Sequence, residues 1–222
     1  MKSVKFSIIL IICSFILSIF FTNYNLKNFD KHNITNEGKT YHQMIKSDPY
    51  WYLSDGYSIK QQLKNGLPFF RTGPENYTKY LPSRIAAIYY YIFDYEFYEE
   101  ISGQKIVKTG IHNIYLYFQC FFYFFSLLIF AKSIHLKIKN SVASNATIFF
   151  LSLEPTIFQY HSSFWSESYF FSFQILLLAF MLKKPNIKNL IIVGCLLGVL
   201  SLQKQLAFFY IIPILIYYFF II

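Results

Sequence analysis

Three ionisable residues, Glu154, Glu167 and Lys204, stand inside long apolar stretches of the chain. A charge at membrane depth costs about 2.5–3.5 kcal/mol on insertion scales, so by default it faces a partner or a cavity rather than lipid. Two readings follow from these residue types. In the first, Glu154 pairs with Lys204 as a buried salt bridge, and Glu167 only caps the helix it opens, where a carboxylate is favoured. In the second, the three line a polar pocket. Lys204 offers an ammonium to a phosphate there, while Glu154, Glu167 and His161 orient it or a second substrate. Pro155, directly after Glu154, favours the pocket, because a helix broken at membrane depth is tolerated where protein or a water-filled cavity satisfies the freed backbone groups.

A second group of candidates lies in the polar third of the chain. Within 47–66, Ser54 or Asp55 can cap a short helix whose Ile59 and Leu63, four apart, share a face, with Asn65-Gly66 as its stop. That places Asp55 at a helix N-terminus, with Asp48 as a competing acid. Both also fit plain capping and turn formation beside Gly56 and Pro49. The turn-rich link 71–84 carries Glu75, Lys79 and Arg84. After Pro82, the run 85–93 is too short to span a bilayer and rich in Tyr. It reads as an interfacial helix with Asp94, Glu96, Glu99 and Glu100 on the water side. Residues 22–45 show no apolar periodicity and read as a connecting strand or irregular segment. His32 and His42 stand ten apart with no second ligand pair, and Cys13, Cys120 and Cys195 sit in apolar runs, so no metal site is expected.

The elements that must position these residues follow from composition. Of 222 residues, 55% are hydrophobic and only 14% charged, too few to coat a water-exposed globule. Uninterrupted apolar runs at 4–21, 111–131 and 165–182, with interrupted ones at 142–161 and 190–222, predict an all-α membrane protein, a polytopic helical bundle. The net charge of +9 invites a nucleic-acid reading, but eight lysines without an acid flank the spans: Lys2 and Lys5; Lys132, Lys137 and Lys139; Lys183, Lys184 and Lys188. The positive-inside rule puts them in the cytoplasm. Residues 22–110 then lie outside with eleven cations against nine acids, nearly neutral, which excludes nucleic acid. By helical rise, Glu154 and Lys204 lie about 18 and 21 Å from the cytoplasmic ends of their spans, so the buried charges converge on the outer leaflet beneath the loop.

The expected organisation is an N-terminal anchor (1–21) with no small-x-small cleavage site, a large exterior loop with short juxtamembrane helices (22–110), and a multi-span bundle (111–222). Abundant Lys, Asn, Ile and Phe with scarce Ala hint at an AT-rich bacterial genome. The protein is then placed in the cytoplasmic (inner) membrane, N-terminus inside and loop in the periplasm.

Order and spacing resemble the GT-C superfamily of polytopic membrane glycosyltransferases, which includes protein O-mannosyltransferases and lipid A aminoarabinose transferases. Asp48 with Tyr52, or Asp55, precedes Gly66 and Tyr80-Leu81-Pro82, as the family's loop Asp precedes a short helix and a Tyr-x-Pro element. Glu154-Pro155-Thr156 through Ser166-Glu167-Ser168 is similar to its Pro-rich span end and following Ser-Glu. Gly194 through Lys204 is similar to its Gly-x-x-x-Gly-Leu-x-x-Leu-x-Arg/Lys segment. The resemblance implies a polyprenyl-phosphate-linked sugar donor and a lipid, glycan or protein hydroxyl as acceptor. It implies Asp55 or Asp48 as general base and Lys204, with Arg84 or Lys79, as counter-charge to the departing phosphate. Glu75 and Glu167 would hold sugar hydroxyls or, in metal-using members, help bind a divalent ion; no compact ligand cluster for such an ion is visible, and no cofactor is implied. Family members are longer, so the resemblance implies a truncated product, a fragment or a reduced homologue. Two other classes compete: a secondary transporter, which also uses helices broken at Glu154-Pro155 and Gln203-Lys204-Gln205, and a non-catalytic lipid-binding subunit.

Overall fold

The computed structural model describes residues 2–29, 48–69, 80–96, 98–101, 104–107, 112–138, 140–161 and 166–221. Helix α1 (Lys2–Phe29) is followed by α2 (Asp48–Lys64) and α3 (Tyr80–Ile92). A two-stranded antiparallel hairpin, β1 (Tyr98–Ile101) and β2 (Gln104–Val107), pairs Tyr98 with Val107 and Ile101 with Gln104. Then come α4 (His112–Lys137), α5 (Ser141–Leu153), α6 (Pro155–His161), α7 (Glu167–Met181), α8 (Ile187–Gln203), a 3₁₀ helix (Gln205–Tyr210) and α9 (Ile211–Ile221). The fold is helical apart from the hairpin, which the all-α expectation lacked. Glu99 and Glu100 belong to β1 and not to the rim of a helix.

Among the described residues, two helices are long and apolar enough to cross a membrane, α1 over Val4–Asn25 and α4 over Ile114–Lys137. The other apolar helices are shorter; the 15 residues of α7 reach about 22 Å. The interruption expected at Glu154-Pro155 is present. Helix α5, capped by the Asn140 side chain accepting from the Val142 and Ala143 N–H groups, stops at Glu154, and Pro155, its φ already helical, opens α6. The run 190–222, expected as one interrupted stretch, is instead a hairpin. Helix α8 ends at Lys204, a single extended residue (φ −145°, ψ 126°), and the 3₁₀ turn and α9 run back along α7, where Gln174 donates to the Tyr210 hydroxyl and the Tyr217 hydroxyl donates to the Met181 carbonyl (3.0 Å).

Helix α1 buries one face made of Ser7, Ile11, Ser14, Ser18 and Thr22, spaced four, three, four and four apart. Small side chains there let α4 and α5 approach closely. Ser7 bonds His135 Nε2 (2.9 Å) and donates to Asn145 Oδ1 (2.8 Å), and Ser18 donates to Cys120 Sγ (3.4 Å). Contrary to expectation, the helix does not yield to irregular chain at residue 22. Its backbone bonds continue to Phe29, and the Tyr117 hydroxyl donates to Asn23.

The run after Pro82 is indeed helical, but α3 starts at Tyr80 with Pro82 in its first turn, where a missing N–H costs nothing. Its tyrosines do not all lie at a surface. Tyr89 and Tyr90 are buried with Tyr52 and Leu53 of α2, Tyr115 of α4 and Tyr169 of α7, with Tyr89 and Tyr115 meeting edge to face (5.4 Å), while Tyr91 and Ile92 are exposed.

Helices α2 and α3 cross at Gly56. A Cβ built there would lie 2.6 Å from Ala86 Cβ, 2.8 Å from the Ser83 carbonyl oxygen and 3.0 Å from the Ala87 nitrogen, so only glycine permits this crossing. Two of these obstacles are backbone atoms and cannot swing aside. Gly194, in α8, has no atom within 4 Å of such a Cβ. Gly56→Ala is therefore expected to lower the thermal unfolding midpoint in detergent, overpacking costing about 1–3 kcal/mol against a helix-propensity gain of about 1. Gly194→Ala should raise the midpoint or leave it unchanged; equal behaviour of the two variants would contradict the close crossing.

Candidate functional site

Helix α2 begins at Asp48 with Pro49 in its first turn, a position that suits proline, and continues without interruption through Ser54 and Asp55. Asp55 is therefore not at a helix N-terminus, as the capping pattern suggests, but well inside the helix. The helix stops where expected: Gly66 takes φ +83°, its N–H donates to the Leu63 carbonyl (3.0 Å), and the Leu67 N–H donates to that of Gln62 (3.1 Å), a Schellman closure.

Three residues before Asp55 on the same face, buried Tyr52 reaches α7: its phenolic oxygen accepts from the Ser166 N–H at 3.1 Å. Ser166 is a junction. Its carbonyl accepts from Gln203 Nε2 (2.6 Å), its hydroxyl donates to Glu167 Oε2 (3.2 Å), and Glu167 Oε1 takes a 2.5 Å ion pair from Lys204 Nζ. Glu167 is the first residue of α7, where the helix dipole adds to its stabilisation. The Lys204 ammonium also lies 5.5 Å from the Phe170 ring centre. Its side chain keeps 31% of its surface exposed against 16% for Glu167. Asp55 is half-buried, and loss of water pushes its carboxyl up to about 6.

The structure thus brings Lys204 and Glu167 together and separates the other expected partners. Glu154 does not pair with Lys204: its carboxylate accepts from Thr156 Oγ1 (2.8 Å) at the α5–α6 break. His161 is no part of a polar pocket either. It is fully buried against Tyr123 (ring centres 4.6 Å apart) and Phe124, with Nδ1 3.5 Å from Ser18 Oγ, and it works as a packing residue between α1, α4 and α6. Arg84 is buried in α3, its guanidinium 5.4 Å from the Phe69 ring centre. Asp48 opens α2; Glu75 and Lys79 lie outside the described residues. Gly194 and Gly198, the small pair ahead of Lys204, meet no neighbour. Among the described residues, no group of three or more His, Cys, Asp or Glu is placed to hold a metal ion.

Sequence reasoning missed Gln203 and Ser166, whose only signal was position beside Lys204 and Glu167. It also missed Lys60, counted only as one loop cation. Lys60 is fully buried. It donates to the Tyr95 carbonyl (2.6 Å), lies 2.9 Å from Glu96 and 3.3 Å from Asp94, and so ties α2 to the turn after α3. Bonds from Tyr57 and then Lys60 hold the Glu96 carboxyl below its usual range, and Lys64 followed by Lys60 do the same for Asp94.

An apolar groove of about 580 Å³ lies between α3, α4 and α7, walled by Ile88, Ile92, Ile114, Phe118, Tyr169 and Phe173; Asp55, Glu167 and Lys204 do not line it. With that geometry in view, comparison with known proteins adds nothing further: no family model, no curated protein and no solved structure matches the chain.

If the ion pair is a coupled unit, removing one partner strands the other charge. Lys204→Met and Glu167→Gln are each expected to lower the unfolding midpoint, while the double variant loses less than the sum, with a coupling of about 1–3 kcal/mol in a thermal-unfolding cycle. Strictly additive losses would show that the two charges do not depend on each other.

Proposed function

We infer that this chain is a polytopic membrane protein of the cytoplasmic membrane that transfers a sugar from a polyprenyl-phosphate donor to a lipid, glycan or protein hydroxyl on the exterior face. The observation that carries the reading is the Lys204–Glu167 pair, held where α8 breaks and joined through Ser166 to the same face of α2 that carries Asp55. An ammonium, a proton acceptor and an apolar groove are what such a transfer needs. The lipid tail lies in the groove between α3, α4 and α7, whose lining is almost wholly apolar. The membrane placement draws on α1 and α4, on the helix broken between α5 and α6, and on the hairpin in which α9 runs back from Lys204 along α7.

In the transfer, the acceptor hydroxyl oxygen attacks the anomeric carbon while its proton passes to the Asp55 carboxylate. The bond from that carbon to the phosphate oxygen breaks with inversion, and the polyprenyl phosphate departs with the electron pair. Lys204, turning from Glu167, meets the charge that grows on the phosphate. A carboxyl that titrates near 6 suits the base, being ionised at neutral pH yet basic enough to take a proton. Asp48 remains the competing base, and Arg84 or Lys79 a second counter-charge. A secondary transporter is the other reading, supported by the helix break at Glu154-Pro155 that precedes α7.

The test is sugar transfer by the purified chain from a polyprenyl-phosphate hexose to detergent-soluble hydroxyl acceptors. Activity should rise through pH about 6 to a plateau. Asp55→Asn should reduce it by about 10²–10⁴-fold with donor binding retained. Stability runs the opposite way: the folded chain holds the Asp55 proton to about 6 and the ordinary value is 3.8, so this contribution is full below 3.8 and lost as pH rises through 6. Asp55→Asn should remove that fall. Undiminished transfer in Asp55→Asn, or donor translocation without transfer, would reject the assignment.

A further inference from the structure

Separation of Glu154 from Lys204 leaves a carboxylate with its own surroundings. On the far side of α7 from the tyrosine cluster, a second groove of about 660 Å³ runs between the α5–α6 break, α7 and the 3₁₀ turn leading into α9. That volume is in the range of small-molecule sites, about 300–1,000 Å³. Its wall is aliphatic and aromatic, with Ile175, Leu178 and Ile214 among its residues, and its polar groups are few. Glu154 lies exposed at the helix break, bonded to Thr156, and Gln174 donates to the Tyr210 hydroxyl. No Lys, Arg or His lines the groove, and among the described residues Glu154 takes part in no ion pair.

Both donors to Glu154 come from Thr156, its hydroxyl (2.8 Å) and its N–H (3.4 Å), and both meet Oε1. The carboxylate therefore keeps capacity for a donor from outside the chain and has no cation against its charge among the described residues. Water would serve at a wet surface, but at the depth inferred for Glu154 the groove faces acyl chains. A phosphate head is repelled by the carboxylate, and a hydroxyl supplies a donor without charge. We propose that the groove between α5, α7 and α9 binds a single-chain amphiphile with a primary ammonium head, the ammonium on Glu154 and Thr156 and the tail along Ile175, Leu178 and Ile214. The site is separate from the Lys204–Glu167 junction. It rests only on the membrane placement of these helices and not on the glycosyl-transfer reading.

The full chain in phosphatidylcholine nanodiscs, photolabelled with a diazirine-bearing dodecylamine, tests the proposal. Labelled peptides should fall within 151–157 and 171–181. Unlabelled dodecylamine should compete about tenfold better than dodecanol, the difference a charge-assisted bond makes, and dodecyl phosphate should not compete. Glu154→Gln should reduce labelling about tenfold, and Leu178→Trp, which fills the groove with the carboxylate intact, should do the same. If Glu154→Gln fails to fold, Leu178→Trp with the competitor ranking decides the matter. Dodecanol or dodecyl phosphate competing as well as the amine, or labelling indifferent to the variants, overturns the proposal. Polyprenyl-phosphate binding should be unchanged in both variants, so loss of this site and loss of the transfer reading are distinguishable.

Discussion

A helix that stops among apolar neighbours leaves backbone groups and charges that water cannot satisfy, and the start of α7 is where this fold meets that demand. The interruption at Lys204 puts the ammonium against Glu167 and lets Gln203 reach the Ser166 carbonyl, while Tyr52 accepts the Ser166 N–H. Three segments distant in sequence, α2, the head of α7 and the tail of α8, are therefore joined through two consecutive residues. Losing any of these contacts strands a buried polar group, which costs more than the bond itself contributes.

The layer formed by α2 and α3 depends on a different constraint, close approach. Gly56 against Ala86 and the Ser83 carbonyl brings the axes together, and this proximity lets the tyrosines of α2, α3, α4 and α7 pack into one cluster. Lys60 then closes the outer end of the pair: a fully buried ammonium bonded to a backbone carbonyl and flanked by Glu96 and Asp94 holds the turn after α3 on α2. Because Tyr52 belongs to both the cluster and the α7 junction, the position of Asp55 one turn further along is set by packing on both sides.

The two grooves on either side of α7 differ in what they can hold. The one between α3, α4 and α7 is nearly devoid of polar surface, and no charged residue lines it. The other has a carboxylate at its edge and no cation in its wall.

The helical class, the breaks at Glu154 and Lys204 and the Gly66 stop were legible in the sequence, because each follows from composition or from the local backbone chemistry of single residues. The start of α2 was misread, since capping residues such as Ser54 also fit helix interiors once Tyr52 and Leu53 have a cluster to enter. Pairing was the part that sequence alone did not decide. Depth along a span can be counted from residue numbers, and by depth Glu154 and Lys204 looked like partners; the direction in which each points around its helix depends on which neighbours pack against it. Helix α7 stands between those two residues and offers Glu167 to Lys204 instead. Composition and spacing thus determined where charges enter the apolar region, and only helix rotation and packing in three dimensions decided which of them meet.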